Sequence, residues 1–95
     1  MTPTTSWTED QIRSEIKRLI ANVTEREPDE IPDSAHFMEE LGVDSLMAME
    51  VMIAVDKKFK IDIPEEEFNK AKNVDESVAL VRHWLAARDS SAATA

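Results

Sequence analysis

Three segments of the chain repeat one apolar spacing, and this repetition limits the possible folds more than any other feature. In each segment the apolar residues stand at offsets 0, 4, 7 and 11, which places them on one helix face but on both strand faces. The residues are Ile12, Ile16, Leu19 and Val23; Ala48, Met52, Val55 and Phe59; and Val74, Val78, Val81 and Leu85. None of these helices can bury its face alone, so we expect an all-α bundle with a common core.

The start of the first helix carries a capping signal. This helix is predicted over about residues 8–24, with either Ser6 and Glu9 or Thr8 and Gln11 as its capping box. Strands are not expected, because the chain has one glycine and lacks the alternation of apolar and polar residues that strands need.

The later helices have similar start signals. The second follows Asp44, and the last follows Asn73, with Glu76 as its capping partner. Between them, residues 63–68 are predicted to form a short helix with Pro64 at its first position. The expected fold is a small bundle of three main helices plus one short helix.

About twenty residues, 25–44, separate the first two helices, which is long for a connection in a compact domain. Ile31, Phe37 and Leu41 can pin this loop to the core. Ser34 can cap a short helical turn that places Phe37 and Leu41 on one side. We therefore expect a long but ordered loop between helices 1 and 2.

The length of 95 residues indicates one domain, since two cores of half this size would not fold without staples. We place the domain at residues 7–87, between a disordered N-terminal segment, 1–6, and a disordered C-terminal tail, 88–95. The chain has no long apolar run, so neither a membrane span nor a signal peptide is expected, and the predicted location is cytoplasmic.

Composition excludes several classes of function. There is no cysteine, and two separate histidines, His36 and His83, cannot build a closed metal site, so we assign no metal. The net charge of −9 repels nucleic acids and anionic membranes alike. A partner should therefore present lysine and arginine side chains.

The segment before the second helix is where chemistry is expected. Gly42 frees the backbone for a tight turn, and Asp44 can cap the helix. Ser45 then stands in the first turn, where unpaired amides and the helix dipole favour a phosphate ester on its hydroxyl. An ordinary aspartate cap followed by an incidental serine is the alternative, and these three residues alone do not exclude it.

The second helix carries a further apolar line beside its core stripe, formed by Leu46, Met49 and Ile53. The charged residues that flank this line are Glu50, Asp56 and Lys57. Exposed apolar groups bordered by charge are typical of a partner-docking surface. Both apolar stripes could instead be buried, and the sequence leaves Leu46 undecided between the two environments.

The run Leu41-Gly42-Val43-Asp44-Ser45-Leu46, followed by Glu50, Phe59, Ile63-Pro64 and Glu66, resembles an acyl carrier protein. The resemblance extends over about residues 12–85 and implies an acyl carrier domain at residues 7–87. It implies that phosphopantetheine from coenzyme A is esterified to Ser45 and holds acyl or polyketide chains as thioesters. Gly42, Asp44 and Leu46 belong to the same motif, and Asp44 is implied to assist loading.

The resemblance also implies partners and a mode of action. The protein would be a phosphoprotein and a monomeric carrier rather than an enzyme, loaded by a phosphopantetheinyl transferase. The helix after Ser45 would be the surface to which partner enzymes bind through basic patches of their own. These partners would be ketosynthases, acyltransferases and other synthase enzymes of fatty-acid or polyketide biosynthesis. Residues of the bundle can shelter the acyl chain, and the candidates are Met52, Ile53, Val55 and Phe59. Lys57 and Lys58 depart from the acidic side chains usual in fatty-acid carriers.

Other functions match fewer features of the sequence. A peptidyl carrier domain and an unmodified helical interaction module remain alternatives. A serine hydrolase would pair Ser45 with His36, but the chain lacks the strand-turn-helix elbow of such enzymes. A calcium loop starting at Asp29 is broken by Ile31 at a ligand position and by Ser34 at the glycine position.

Overall fold

The described part of the chain contains four α-helices, one 3₁₀ turn and the segments that connect them. The computed structural model describes the backbone of residues 7–94 and the side chains of residues 7–88. The elements are α1 (Glu9–Thr24), a 3₁₀ turn (Pro28–Glu30), α2 (Ser45–Phe59), α3 (Glu65–Phe68) and α4 (Val74–Thr94). Residues 7–94 contain no strand, so the predicted all-α class, with three main helices and one short one, is confirmed.

Helix α1 begins with the second of the two predicted capping boxes. The Thr8 hydroxyl accepts the Gln11 backbone N–H at 3.1 Å, and the Gln11 side-chain oxygen accepts the Thr8 N–H at 3.0 Å. Ser6, the other candidate cap, lies outside the described residues. Two of the first four backbone donors are thus satisfied by local side chains.

The buried face of α1 differs from the predicted stripe in its second half. Ile12 and Ile16 are buried as expected, but Ile20 is buried in place of Leu19 and Val23, which are only half-buried. Ile20 lies among residues of α2, α3 and the loop, whereas Leu19 and Val23 lie along the edge between α1 and α2.

Helix α4 buries the whole predicted stripe, Val74, Val78, Val81 and Leu85. Its cap is also as predicted, because the Asn73 side-chain oxygen accepts the Glu76 N–H at 2.8 Å. Helix α4 packs mainly against α1. The four stripe residues are the fully buried apolar residues of this helix within the described side chains, so the 3.6-residue period was sufficient to identify its buried face.

Helix α2 buries a face that is rotated from the predicted one. Val55 and Phe59 are in the core, together with Val51, which the predicted stripe omitted. Ala48 and Met52 are only half-buried, because both line the groove on the α3 side of the helix. A helix that is apolar on two sides offers two possible core faces, and its neighbours select between them.

The loop over residues 25–44 is held to the core by apolar side chains. Ile31, Phe37 and Leu41 are buried as predicted, and Ala35 and Val43 join them. The Phe37 N–H also donates to the carbonyl of Lys72 at 2.8 Å, which ties the loop to the segment before α4. The expectation of an ordered loop is thus supported by both packing and hydrogen bonding.

An ion-pair network fixes the middle of the same loop. Arg13 of α1 contacts Asp33 at 2.8 Å and Asp75 of α4 at 2.6 Å, while Lys17 of α1 also pairs with Asp33. The hydrogen bond from Lys17, aided by the charge of Arg13, holds the pKa of the Asp33 carboxyl below its usual value. The loop therefore bridges the two longest helices.

The turn at residues 37–40 is capped by His36 rather than by Ser34, contrary to the sequence prediction. The Nδ1 atom of His36 accepts the backbone N–H groups of Met38 and Glu39, each at 3.2 Å. Ser34 is exposed two residues earlier and makes no such bond. With Phe37 and Leu41 both buried, the residue that directly precedes Phe37 is the one placed to cap the turn.

The ends of two helices also differ from expectation. Pro64 occupies the N-cap position of α3 instead of the predicted first helical position, and its carbonyl accepts the Phe68 N–H at 3.0 Å. Helix α4 continues to Thr94, so residues 88–94 are helical where a disordered tail was predicted. The sequence there contains neither proline nor glycine to stop a helix. Residues 1–6 and Ala95 lie outside the described part.

Candidate functional site

Ser45 is the first residue of α2 and is exposed. Asp44 caps the helix: its carboxylate accepts the Met47 N–H at 2.9 Å, and its carbonyl accepts the Ala48 N–H at 2.9 Å. The two hydrogen bonds of Asp44 fix the backbone on both sides of Ser45. Its hydroxyl is thus presented to solvent from a rigid position.

Two backbone donors beside this hydroxyl have no protein acceptor. Among the described residues, nothing accepts a hydrogen bond from the N–H of Ser45 or of Leu46. Both groups lie at the amino end of a helix of 15 residues, where the macrodipole is positive. The arrangement suits a phosphate oxygen attached at Ser45, because such an oxygen would be an anionic acceptor within the first turn.

Gly42 makes the turn that leads to the cap. Its φ of 71° is in the left-handed region, which glycine adopts without the penalty that other residues meet. A Cβ added there would meet nothing within 4 Å, so the backbone angle alone favours glycine. The residues on either side, Leu41 and Val43, are buried and anchor the turn to the core.

A groove opens beside Ser45, with a cavity volume of about 150 Å³. It lies between α2, α3 and the loop before α2. The apolar residues of its wall are Ile20, Phe37, Met38, Val43, Ala48, Met49, Val51, Met52, Phe68 and Ala71. The polar residues are His36, Ser45, Glu65, Asn69 and Lys72. Ser45 thus stands at a partly apolar hollow that could receive a flexible attached group.

Only one of the four candidate shelter residues lines this groove. Met52 is in its wall, whereas Val55 and Phe59 are fully buried in the core. Ile53 points elsewhere, into a shallower hollow of about 350 Å³ between α1 and α2. Other wall residues come from α1, from the loop and from α3, which the pattern of the second helix could not indicate.

The second apolar line of α2 is exposed. Leu46 is 68% exposed, Met49 43% and Ile53 49%, which decides the environment that the sequence left open for Leu46. Met38, in the loop, is 54% exposed and borders the same groove as Met49, although it was not among the residues predicted to dock partners. The sequence did contain one indication of this exposure: Met38 lies between Phe37 and Leu41, which were both predicted to be buried, and so cannot share their side of the turn.

The charged residues chosen from the sequence do not all share this surface. Glu50 and Lys57 are exposed. Asp56 is half-buried, and its carboxylate accepts the Ile63 N–H at 3.2 Å across the turn after α2. Burial raises the pKa of the Asp56 carboxyl, although the hydrogen bond from Ile63 acts in the opposite direction. Asp56 is therefore placed as an internal acceptor.

The groove contains no pairing of nucleophile and base. His36 lines it together with Ser45, but the Nδ1 atom of His36 is occupied by two backbone amides, and no hydrogen bond joins it to Ser45. Among the residues with described side chains, no group of three or more metal-ligating side chains is found. None of the helices within residues 7–94 is both long and apolar enough to cross a bilayer.

Comparison with known proteins identifies the family. Residues 14–81 match the family model described as the phosphopantetheine attachment site. The acyl carrier protein of Rickettsia bellii (strain RML369-C) is 36% identical over 73 residues, which cover 77% of this chain and 85% of that protein. The chain belongs to the acyl carrier proteins.

Other members of the family are similarly close. The acyl carrier protein of Thermosynechococcus vestitus is 30% identical over 77 residues, which cover 81% of this chain and 95% of that protein. The mitochondrial acyl carrier protein of Neurospora crassa is 32% identical over 73 residues, covering 76% of this chain and 54% of that protein. The similarity therefore extends over most of this chain.

The fold agrees with a solved structure of the family. The acyl carrier protein from Enterococcus faecalis superposes with a TM-score of 0.70, covering 82% of this chain and 99% of that chain, at 22% sequence identity. This carrier protein thus has the family fold, takes phosphopantetheine as its cofactor, and is a carrier rather than an enzyme. The first turn of α2, with an exposed hydroxyl and two free amides, fits the phosphodiester of that cofactor.

Proposed function

We propose that Ser45 is the residue to which phosphopantetheine is attached. The observation that carries this proposal is an exposed hydroxyl at the first position of α2, beside two backbone amides without acceptors. Ser14 and Ser34 are also exposed, but Ser14 is inside α1 and Ser34 is in the loop. Neither of them combines a helix amino end with an adjoining groove.

Each residue around Ser45 has a part in this function. Asp44 fixes the first turn, so that the Ser45 oxygen can bond to the phosphorus of coenzyme A from a constant position. The phosphoanhydride bond of coenzyme A breaks in this step, and its adenosine bisphosphate part and the hydroxyl proton leave. The amides of Ser45 and Leu46 stabilise the resulting negative charge. When bound, the cofactor supplies a thiol that holds acyl groups as thioesters, and the groove wall around Met52 excludes water from part of the attached chain.

The exposed apolar line and its charges are proposed as the docking surface. Leu46, Met49 and Ile53 supply contact area, and Glu50 supplies a carboxylate that attracts lysine or arginine side chains. Lys57 lies four residues beyond Ile53 on the same helix and gives the surface a basic end. The partners are a phosphopantetheinyl transferase and the synthase enzymes, including ketosynthases and acyltransferases, which bind through basic patches.

We further propose that the protein serves fatty-acid or polyketide biosynthesis as a cytoplasmic monomer. Among the described residues, Lys57 and Lys58 have no ion pair with a carboxylate, so their charges are available to a partner. Lys58 lies over the ring of Trp7, with 5.9 Å between the amine and the ring centroid. A mixed charge pattern on α2 favours partners with both basic and acidic contacts.

Loading of the purified protein tests the attachment site. The protein is incubated with coenzyme A, Mg²⁺ and a broad-specificity phosphopantetheinyl transferase, and its intact mass is measured. We expect the mass of one arm on the wild type and on Ser14→Ala, but none on Ser45→Ala. Arm addition to Ser45→Ala would assign the site elsewhere. No addition to any of the three would favour the unmodified interaction module.

A charge reversal tests the docking surface. Glu50→Lys is expected to slow acyl transfer from a basic ketosynthase or acyltransferase about tenfold at low salt, with less effect at high salt. Asp29→Lys, the same charge change in the 3₁₀ turn, is the control and should change the rate less than twofold. Equal rates for the two variants would remove Glu50 from the docking surface.

A further inference from the structure

His36 caps the turn at residues 37–40 in a way that depends on its protonation state. Its Nδ1 atom accepts the N–H groups of Met38 and Glu39, each at 3.2 Å. An imidazole nitrogen can accept only while it carries no proton. The capped turn therefore requires a neutral His36 ring with its hydrogen on Nε2.

The main chain of His36 fastens the same turn at its far end. The His36 carbonyl accepts the N–H groups of Glu40 at 2.9 Å and Leu41 at 3.2 Å. Its own N–H donates to the carboxylate of Glu40 at 2.9 Å. One residue thus holds both ends of the turn, and only the bonds to the ring can be switched by a proton.

This turn is coupled directly to the segment that carries Ser45. The Val43 N–H donates to the carbonyl of Phe37 at 2.9 Å, and Val43 is two residues before Ser45. His36 and Met38 line the groove beside Ser45. A change in the turn therefore alters both the backbone before α2 and one wall of the groove.

We propose that His36 is a positioning residue for Ser45: its neutral ring holds the turn and the groove wall in place, and a proton on Nδ1 releases them. Histidine is the side chain that changes charge near physiological pH. The presentation of Ser45 would then weaken when the ring takes up a proton on Nδ1. This inference deepens the proposed function and, in its effect on loading, rests on it.

Charged groups from three segments lie near the ring or along the groove. Glu39 places a carboxylate oxygen 3.7 Å from Nε2, and the Glu40 carboxylate accepts the backbone N–H of His36. Lys72, in the segment before α4, and Glu65 of α3 line the groove. The described residues of α1 and α2 contribute no ionisable group to it.

The second histidine provides a control within the same chain. His83 is exposed on α4 and contacts the ring of Trp84 edge-on, with 5.8 Å between the ring centroids. It accepts no backbone N–H in the described structure. Replacing His83 should therefore leave the turn and the groove unchanged.

Backbone amide exchange and NMR shifts of the unmodified protein test the cap itself. Between pH 7.5 and 5, we expect the protection factors of the Met38 and Glu39 amides to fall roughly tenfold in the wild type and in His83→Asn. His36→Asn keeps an acceptor that does not titrate, so its Met38 and Glu39 amides should stay protected at both pH values. In His36→Ala the same two amides should be unprotected at both pH values. Equal pH responses in the wild type and in His36→Asn would overturn the proposal, as would a proton on Nδ1 at pH 7.5.

Loading rates test the coupling to Ser45. The transferase has its own pH dependence, so the rate of each variant is divided by that of His36→Asn at the same pH. We expect this ratio to fall about threefold to tenfold between pH 7.5 and 5 for the wild type and for His83→Asn. A constant ratio, with the amide result still positive, would show that the cap does not position Ser45. Absence of loading in all variants would overturn the attachment site, and the amide measurements would still test the cap.

Discussion

The two ends of α2 contrast sharply in their surroundings. At the amino end, Ser45 is exposed, Leu46 is 68% exposed, and two backbone amides find no acceptor among the described residues. At the carboxyl end, Phe59 is completely buried, Trp7 packs edge-on against it at 4.6 Å, and Arg88 donates to its carbonyl at 2.7 Å. One end of the helix is accessible and the other is fixed.

This difference explains how a small domain can present a reactive group rigidly. An exposed residue gains little order from its own contacts, so its position must come from elsewhere in the same element. The buried end of α2 provides that anchor, and the Asp44 cap transmits it to the first turn. We therefore expect substitutions at the buried end to change stability and substitutions at the exposed end to change function.

The largest expected effect is at the buried end. Phe59→Ala should lower the free energy of unfolding by about 3–5 kcal/mol, because it removes a fully buried ring and leaves a cavity. Leu46→Ala, a comparable apolar truncation at the exposed end, should change it by less than about 0.5 kcal/mol. Urea denaturation measures both. Similar losses for the two variants would show that the ends of α2 do not differ in this way.

Two residues with positive φ give changes of opposite sign. Gly42→Ala, before the exposed end, should cost about 1 kcal/mol, because φ is 71° and no contact compensates. Lys60→Gly, at the buried end, should stabilise by about 0.5–1 kcal/mol, because Lys60 holds a φ of 56° as the C-cap. Thermal unfolding checks both variants. A shift of Tm in the same direction for both would contradict the argument from backbone angles.

The Asp44 cap should be measurable by itself. Asp44→Ala removes the acceptor of the Met47 N–H and should cost about 1 kcal/mol, whereas Asp44→Asn retains an acceptor and should cost much less. Chemical denaturation compares the two variants. If both lose the same stability, then charge rather than capping accounts for the role of Asp44 in the fold.

The smallest effects concern two carboxyl groups with opposite pKa shifts. The pKa of Asp33 is lowered, chiefly by the hydrogen bond from Lys17. Its contribution is present above the unfolded pKa of about 3.9 and is lost as the pH falls through the lower folded pKa. Asp33→Asn should therefore cost up to about 1 kcal/mol at pH 7, because the pairs are partly exposed.

The pKa shift of Asp56 has the opposite sign to that of Asp33, because burial raises the pKa of the Asp56 carboxyl. Its carboxylate therefore destabilises the fold above the raised pKa, and this effect disappears below the unfolded pKa of about 3.9. Asp56→Asn keeps an acceptor for the Ile63 N–H and should stabilise by roughly 0.5 kcal/mol at pH 7. Denaturation at pH 7 and pH 3 should show the difference between the two variants shrinking at the lower pH. A constant difference would contradict both assignments.

Much of the fold could be predicted because it is locally encoded. The stripe of α4 and its Asn73 cap were correct, and so was the position of Asp44 as the cap before Ser45. Capping and helical periodicity involve residues within four positions of each other, so a single segment contains the whole signal. The motif around Ser45 is local in the same sense.

The errors lie where a segment offered two choices. Val51 is buried and Met52 is only half-buried, because α2 is apolar on two sides and its neighbours cover one of them more completely. His36 caps the turn that Ser34 was expected to cap, although both side chains are able to accept an amide. In each case residues distant in sequence selected the outcome.

The sequence by itself determined the helical class, the capped start of α2 at Ser45 and the resemblance to acyl carrier proteins. The tertiary structure alone decided which apolar line of α2 is exposed and which side chains form the groove beside Ser45. Backbone conformation depends on neighbours along the chain, whereas burial depends on elements that meet only after folding. For this reason the candidate attachment residue could be selected from the motif, and its surroundings, including His36, required the fold.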